Sequence, residues 1–332
     1  MSSWVTCPTS HLSHFMWVAQ LRYADRVGAY TALSTCQRIT SFMAAGNPRI
    51  SRLCRGANAF AMPAMFHDNA SILIYGEKKM LDFTDKIVLI TGSSRGIGRS
   101  IARLFAERGA RVAVHYQSNR AAAEATLESL TGEGHIIVQG DIADPAAVEV
   151  IVNDVVSRLG RLDILVNNAA IYEDHPLAEV DYQTWQDSWR RTIETNVFGA
   201  ANMSYCAARH MIAQGGGRIV NVSSRGAFRG EPTGPAYGAS KAALNSMSQS
   251  MAKYLAPYNI SVGVAAPGFV ETDMAREALT GESGKEIRGQ SPFNRVAKPE
   301  EVAYAVLFLA SEGAEFMTGA IIDINGASYL RT

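Results

Sequence analysis

Between Lys86 and Ile324 the sequence alternates short apolar runs with longer segments of helical period, and few folds accept that pattern. A short continuous apolar run suits a strand buried on both faces. A helix between two such strands has to cross over, so the strands lie parallel. The runs are Lys86–Thr91, Arg111–Tyr116, Ile136–Val138, Asp163–Val166, Arg218–Val222, Ser261–Ala265 and Ala320–Ile324. Helices are expected at about Ile97–Arg108, Ala121–Leu130, Pro145–Leu159, Thr184–Gln214, Ala236–Leu255 and Pro299–Ala310. Gly109 stops the first of these, and Asp144 with Pro145 starts the third. The expected fold class is α/β, a single doubly wound parallel sheet with helices on both faces and ligands bound beyond the carboxyl ends of the strands.

What precedes Met80 has a different composition. From Met1 to Gly76 there are six arginines, no lysine, only Asp25 and Asp68 as acids, and no sustained period. Residues 1–78 are read as a leader outside the fold: a disordered stretch or upstream sequence from a start placed too early, with an organelle transit peptide as the alternative. Residues 80–332 are read as one α/β domain, for whose fold and activity the leader is dispensable. Lys+Arg and Asp+Glu both number 31, so there is no electrostatic case for nucleic acid or an anionic membrane as partner. No apolar run approaches the roughly 20 residues of a bilayer span. The four cysteines lack metal-ligand spacing and only Cys206 lies in the α/β part, so neither a metal site nor a disulfide framework is expected. That implies a reducing, cytoplasmic setting, or an organelle if the leader is a transit peptide.

The first strand runs into Thr91-Gly92-Ser93-Ser94-Arg95-Gly96-Ile97-Gly98 and then a helix. Glycines at this junction let the backbone turn sharply and approach a pyrophosphate, which the helix N-terminus stabilises. Three glycines alone are a weak signal; the strand–turn–helix context gives them weight.

The Gly-x-x-x-Gly-x-Gly spacing and the motifs after it resemble the short-chain dehydrogenase/reductase family over residues 80–332. Asp141-Ile142 sits where that family contacts the adenine. Asn167-Asn168-Ala169-Ala170 looks like its Asn-Asn-Ala-Gly motif with alanine for the last glycine, and Pro267-Gly268 with Val270 and Thr272 like the segment holding the nicotinamide carboxamide. The resemblance implies a Rossmann-like sheet, a homodimer or homotetramer, and NADP(H) or NAD(H) as cofactor. It places cofactor contacts at Gly92, Ser93, Ser94, Arg95, Gly96, Ile97, Gly98, Asp141, Ile142, Asn168, Tyr237, Lys241, Pro267, Gly268, Val270 and Thr272. The second strand ends His115-Tyr116-Gln117-Ser118-Asn119-Arg120, without the acid that binds ribose hydroxyls in NAD users. NADP is therefore expected, with Arg95 or Arg120 on its 2′-phosphate.

Tyr237 and Lys241 are i and i+4 at the start of a helix and share a face. An ammonium one turn away is expected to lower the phenol pKa and suit Tyr237 to acid–base work. Ser224 lies thirteen residues before Tyr237, as in the family, where it polarises the substrate carbonyl. The adjacent Ser223 points to the other face by strand parity. Asn196, in the long helix, matches the family asparagine that holds a relay water. The catalytic set is thus Asn196, Ser224, Tyr237 and Lys241, acting on a small-molecule carbonyl/alcohol pair.

Near its end the chain looks most like the 3-oxoacyl-[acyl-carrier-protein] reductases, at Pro267–Met274 and Ile324–Gly326. Gln214–Gly217 and Pro257–Asn259 lack the basic residues with which those enzymes dock an acidic carrier, which speaks against docking. A sugar, polyol or other small-alcohol dehydrogenase is the alternative; a nucleotide-sensing regulator without turnover is the alternative of another class. Small residues at Gly199–Ala201 and Ala207-Ala208 are expected to admit a partner subunit, and Gly281 and Gly284 suggest a mobile lid.

Overall fold

The first strand, β1 (Ile87–Ile90), is wholly apolar and buried at every position, because both of its faces are covered. Side chains alternate across a strand, so Ile87 and Leu89 enter one core and Val88 and Ile90 the other. The computed structural model describes residues 81–331; the predicted leader, 1–78, lies outside them.

Among the described residues, the remaining strands are β2 (Arg111–Tyr116), β3 (Ile136–Gln139), β4 (Ile164–Asn167), β5 (Gly217–Val222), β6 (Ile260–Pro267) and β7 (Ile321–Ile324). All pair in parallel, in the order β3-β2-β1-β4-β5-β6-β7. The order reverses between β1 and β4, which opens a crevice at their carboxyl ends. The main helices are α1 (Gly96–Glu107), α2 (Arg120–Glu128), α3 (Pro145–Leu159), α4 (Tyr182–Ile193), α5 (Ala200–Gln214), α6 (Gly226–Arg229), α7 (Pro235–Leu255), α8 (Gly281–Gly289) and α9 (Pro299–Ala310). Ile101 and Phe105 of α1 pack with Val306 and Leu307 of α9 on one face of the sheet. On the other face Ile151 and Val155 of α3 pack with Met203 and Met211 of α5. No described helix is long and apolar enough to cross a membrane.

Two expectations need correction. The single helix predicted over 184–214 is three pieces: α4, a wider π turn at Glu194–Gly199, and α5. The extra residue in the turn carries Asn196 inward, where its amide meets the Ile171 backbone. Of the small residues expected to admit a partner, Gly199, Ala200, Ala207 and Ala208 pack into the chain's own core, and only Ala201 is part-exposed. A Cβ on Gly199 would lie 2.9 Å from the Ile142 carbonyl oxygen, so the glycine serves an internal contact.

The predicted lid segment also differs from expectation. It forms a short turn at Asp273–Ala275 and then α8, and a bridge between Val270 and Ala297 closes its base. Gly284 is buried within α8, where a Cβ would meet the Leu279 carbonyl oxygen. It is a packing glycine, whereas Gly281 at the start of α8 has φ of +60° and open space around it.

Candidate active site

A cleft of about 760 Å³ opens at the carboxyl ends of the strands. Its cofactor end is built by the turn from β1 into α1. Gly92 and Gly96 adopt φ of +63° and +55°, a region that only glycine enters cheaply. The turn is strapped from several sides. Asn168 donates its side-chain N–H to the carbonyls of Thr91 (2.9 Å) and Gly92 (3.2 Å). Arg99 and Thr126 both donate to the Ser94 carbonyl. The Gly92 N–H donates to Nδ1 of His115 at 3.0 Å, while His115 Nε2 lies 3.1 Å from the Gly140 carbonyl. Since Nδ1 accepts, the neutral ring carries its proton on Nε2 and donates it to Gly140.

His115 is 2% exposed, and burial depresses its pKa from the ordinary 6.5 to about 4. Between those values an unfolded chain binds a proton that the folded one refuses. His115 therefore stabilises the fold fully above pH 6.5, and this contribution is lost as pH falls towards about 4, by up to roughly 3 kcal/mol. Chemical denaturation at intervals from pH 7 to 4.5 measures it. The stability gap between the wild type and His115→Asn should narrow as pH falls; a constant gap would refute the assignment.

The cleft lining suits an anionic dinucleotide. No side chain caps the first N–H groups of α1, and its first turn holds no acid. Ser94, Arg95, Gly96, Ile97, Asp141, Ile142, Asn168, Pro267, Gly268, Val270 and Thr272 all line the space, together with Gly92 and Gly98. Ser93 does not: it is fully buried and its hydroxyl donates to the Ile90 carbonyl at 2.8 Å, so it ties the turn to β1 instead of facing a ligand. Arg120 pairs with Glu124 at 2.8 Å on the exposed surface and is not among the residues lining the cleft. Arg95 is exposed on the lining, and its side chain makes no hydrogen bond or ion pair among the described residues.

At the other end, β5 delivers Ser223 and Ser224 and α7 delivers Tyr237 and Lys241. Strand parity holds: Ser223 Oγ donates to the Lys241 carbonyl at 3.2 Å, whereas Ser224 lines the cleft with Tyr237 and pulls its pKa down. The Gly226 N–H donates to Ser224 Oγ at 3.0 Å and fixes it. Lys241 Nζ donates to the Val222 carbonyl at 2.9 Å and lies 5.6 Å from the centre of the Tyr237 ring.

The electrostatics differ from expectation. Burial pushes the Tyr237 phenol up to about 12, against the opposing pull of the Ser224 hydrogen bond. Burial also lowers Lys241 to about 8. The ammonium sits over the ring face and against a carbonyl, so it does not offset the cost of burying a phenolate. Asn196 is buried, accepting from the Ile171 N–H and donating to the Ile171 carbonyl (both 2.9 Å) and to Ser240 Oγ (3.1 Å). These ties fix the amide and brace the site.

Sequence reasoning missed Tyr172 and Thr233. Tyr172 packs edge-on to Tyr237 with ring centres 5.2 Å apart. Its hydroxyl donates to Asp174 at 3.0 Å and lies 3.1 Å from Thr233 Oγ1. No spacing rule joins these loops; only the fold does. Among the described residues no group of three or more acidic, histidine or cysteine side chains could hold a metal ion.

A family model described as enoyl-(acyl carrier protein) reductase matches residues 92–327. The 3-oxoacyl-[acyl-carrier-protein] reductase FabG of Staphylococcus aureus (strain Mu50) is 39% identical over 247 residues, covering 74% of this chain and 98% of the relative. That of Escherichia coli K12 is 38% identical over 250 residues, covering 75% and 100%. A Brucella melitensis crystal structure titled short-chain dehydrogenase/reductase SDR:glucose/ribitol dehydrogenase superposes with a TM-score of 0.69 at 32% identity, covering 75% of this chain and 99% of that one. The chain belongs to the short-chain dehydrogenase/reductase family. It is therefore an oxidoreductase of carbonyl/alcohol pairs, and a nicotinamide dinucleotide is the family's cofactor.

Proposed function

We propose that this short-chain dehydrogenase/reductase reduces 3-oxoacyl thioesters with NADPH, with residues 80–332 as the catalytic unit. The observation that carries the chemistry is Ser224, Tyr237 and Lys241 brought together on one wall of the cleft. The substrate class is supported by the FabG relatives. When bound, the dinucleotide supplies the hydride. Ser224 holds the substrate oxygen, and Tyr237 gives it a proton. A phenol held near pKa 12 keeps that proton across the working pH range, which suits the reductive direction. Lys241 would hold the nicotinamide ribose, and Asn196 braces the helix that carries both residues.

NADP over NAD is supported by Arg95, unpaired at the α1 N-terminus, and by the absence of an acid at the end of β2. Arg95→Ala should raise KM for NADPH about tenfold or more and leave KM for NADH nearly unchanged. Gln117→Asp, at an exposed position on the lining, should shift kcat/KM towards NADH. NADPH oxidation with an acetoacetyl thioester of N-acetylcysteamine tests the activity itself. A wild-type preference for NADH would overturn the cofactor reading.

The polar wall of Asp174, Thr233 and Glu231 supports a second reading, a polyol or small-alcohol dehydrogenase. A homodimer or homotetramer belongs to the same proposal, supported by Phe198 and Tyr205, which are exposed on the π turn and α5.

A further inference from the structure

Glu231 lies in the loop between Ser224 and Tyr237, is partly buried, and lines the cleft with both. Its carboxylate makes no hydrogen bond and no ion pair among the described residues. Two arginines are close enough to be felt, yet both are turned elsewhere. Arg225 donates to Gln290 Oε1 at 2.7 Å and Arg229 to the same oxygen at 3.3 Å. Arg225 also donates to Ser328 and sits over the Phe269 ring, 5.1 Å from its centre. The cationic groups beside Glu231 thus spend their directed bonds on neutral acceptors.

Glu231 is also held in place. It packs so closely over Gly226 that a Cβ there would lie 2.4 Å from Glu231 Oε1. Burial raises its pKa, with Arg229 and then Arg225 pulling the other way. It is near enough to Tyr237 to raise the phenol in turn. The other carboxylate on this wall, Asp174, differs in accepting the Tyr172 hydroxyl. A carboxylate that faces the cleft beside the reacting phenol, held in place and with no protein donor, is free to accept from a donor that arrives with the ligand.

We propose that Glu231 is a specificity residue, which takes a hydrogen-bond donor (a hydroxyl or an ammonium group) carried by the substrate on the carbon next to the reacting carbonyl. This rests on the reading of the chain as a carbonyl reductase, and it narrows the substrates to those with a donor at that carbon. Charge at Glu231 favours an ammonium over a hydroxyl, whereas a neutral acceptor treats them more evenly.

The test compares acetoacetyl N-acetylcysteamine thioester with its 4-hydroxy and 4-amino analogues, using the full chain and NADPH. Wild-type kcat/KM should favour the donor-bearing analogues by on the order of 10- to 100-fold. Glu231→Gln, the same shape without charge, should cut the preference for the 4-amino analogue by about tenfold or more and that for the 4-hydroxy analogue by less. Glu231→Leu should remove both preferences. Losing the charge beside Tyr237 acts on all three substrates, so the readout is the ratio of kcat/KM between each donor-bearing analogue and the unsubstituted thioester. Equal wild-type rates on all three substrates would overturn the assignment while the carbonyl-reductase reading stands. So would variants that slow all three alike, the mark of a merely structural residue. Reduction of none by the wild type would overturn the carbonyl-reductase reading, and the Glu231 assignment with it.

Discussion

Tyr237→Phe is expected to lower kcat by roughly 10²- to 10⁴-fold or more while the dissociation constant for NADPH stays nearly unchanged. The change removes one oxygen and leaves the ring. The edge-on contact with Tyr172 and the Lys241 ammonium over the ring face survive, so folding and the cofactor end are spared. Ser224 keeps its hydrogen bond from the Gly226 N–H and stays placed to hold the substrate oxygen. What disappears is the proton. Steady-state rates on a good ketone, with NADPH fluorescence for binding, separate the two effects. Near-normal kcat in the variant would show that another group supplies the proton.

Gly98→Ala should be nearly as damaging, by a different route. The added carbon would lie 2.4 Å from the Gly92 carbonyl oxygen, 2.6 Å from Asn168 Nδ2 and 2.8 Å from Ser93 Cα. Two of those neighbours are backbone, and the third is the strap that holds the turn. Relief requires moving the loop, at about 1–3 kcal/mol or more in stability, and dinucleotide affinity should fall at least about tenfold. Gly289→Ala is the control. Nothing lies within 4 Å of a carbon added there, so that variant should match or slightly exceed the wild type in melting temperature. If Gly98→Ala binds NADPH normally, the close approach of α1 to the turn is not what shapes the cofactor site.

Much of this architecture was legible in the sequence because it is local. Apolar runs bounded by turns gave the strands, and Asp144 with Pro145 marked the start of α3 to the residue. The glycine turn and the Tyr237–Lys241 pair likewise depend on near neighbours. The parity that put Ser224 on the reacting face follows from strand geometry alone. What stayed hidden depends on parts of the chain brought together by folding. The break in the long helix follows from Asn196 meeting Ile171, which sits in another loop. The upward shift of the Tyr237 phenol is not legible because spacing reports proximity but not burial. His115 reads as an ordinary strand residue until β2 pairs with β1 and sets it under Gly92. The Arg120–Glu124 pair is the exception: its i,i+4 spacing could have been read from the sequence.

The strap across the glycine turn also bears on the order of folding. Asn168 and the Thr91 carbonyl it holds are 77 residues apart in the chain. β1 and β2, with the helix between them, form from nearer neighbours, whereas β4 must arrive from beyond α3 before the turn is secured. Closing the longer loop costs more entropy, so the nucleotide-binding surface is expected to mature after the first βαβ unit has condensed. A ribosome-bound chain that ends short of β4 would display the glycine motif without its grip. Added dinucleotide would then stabilise the finished fold but do little to hasten its early steps.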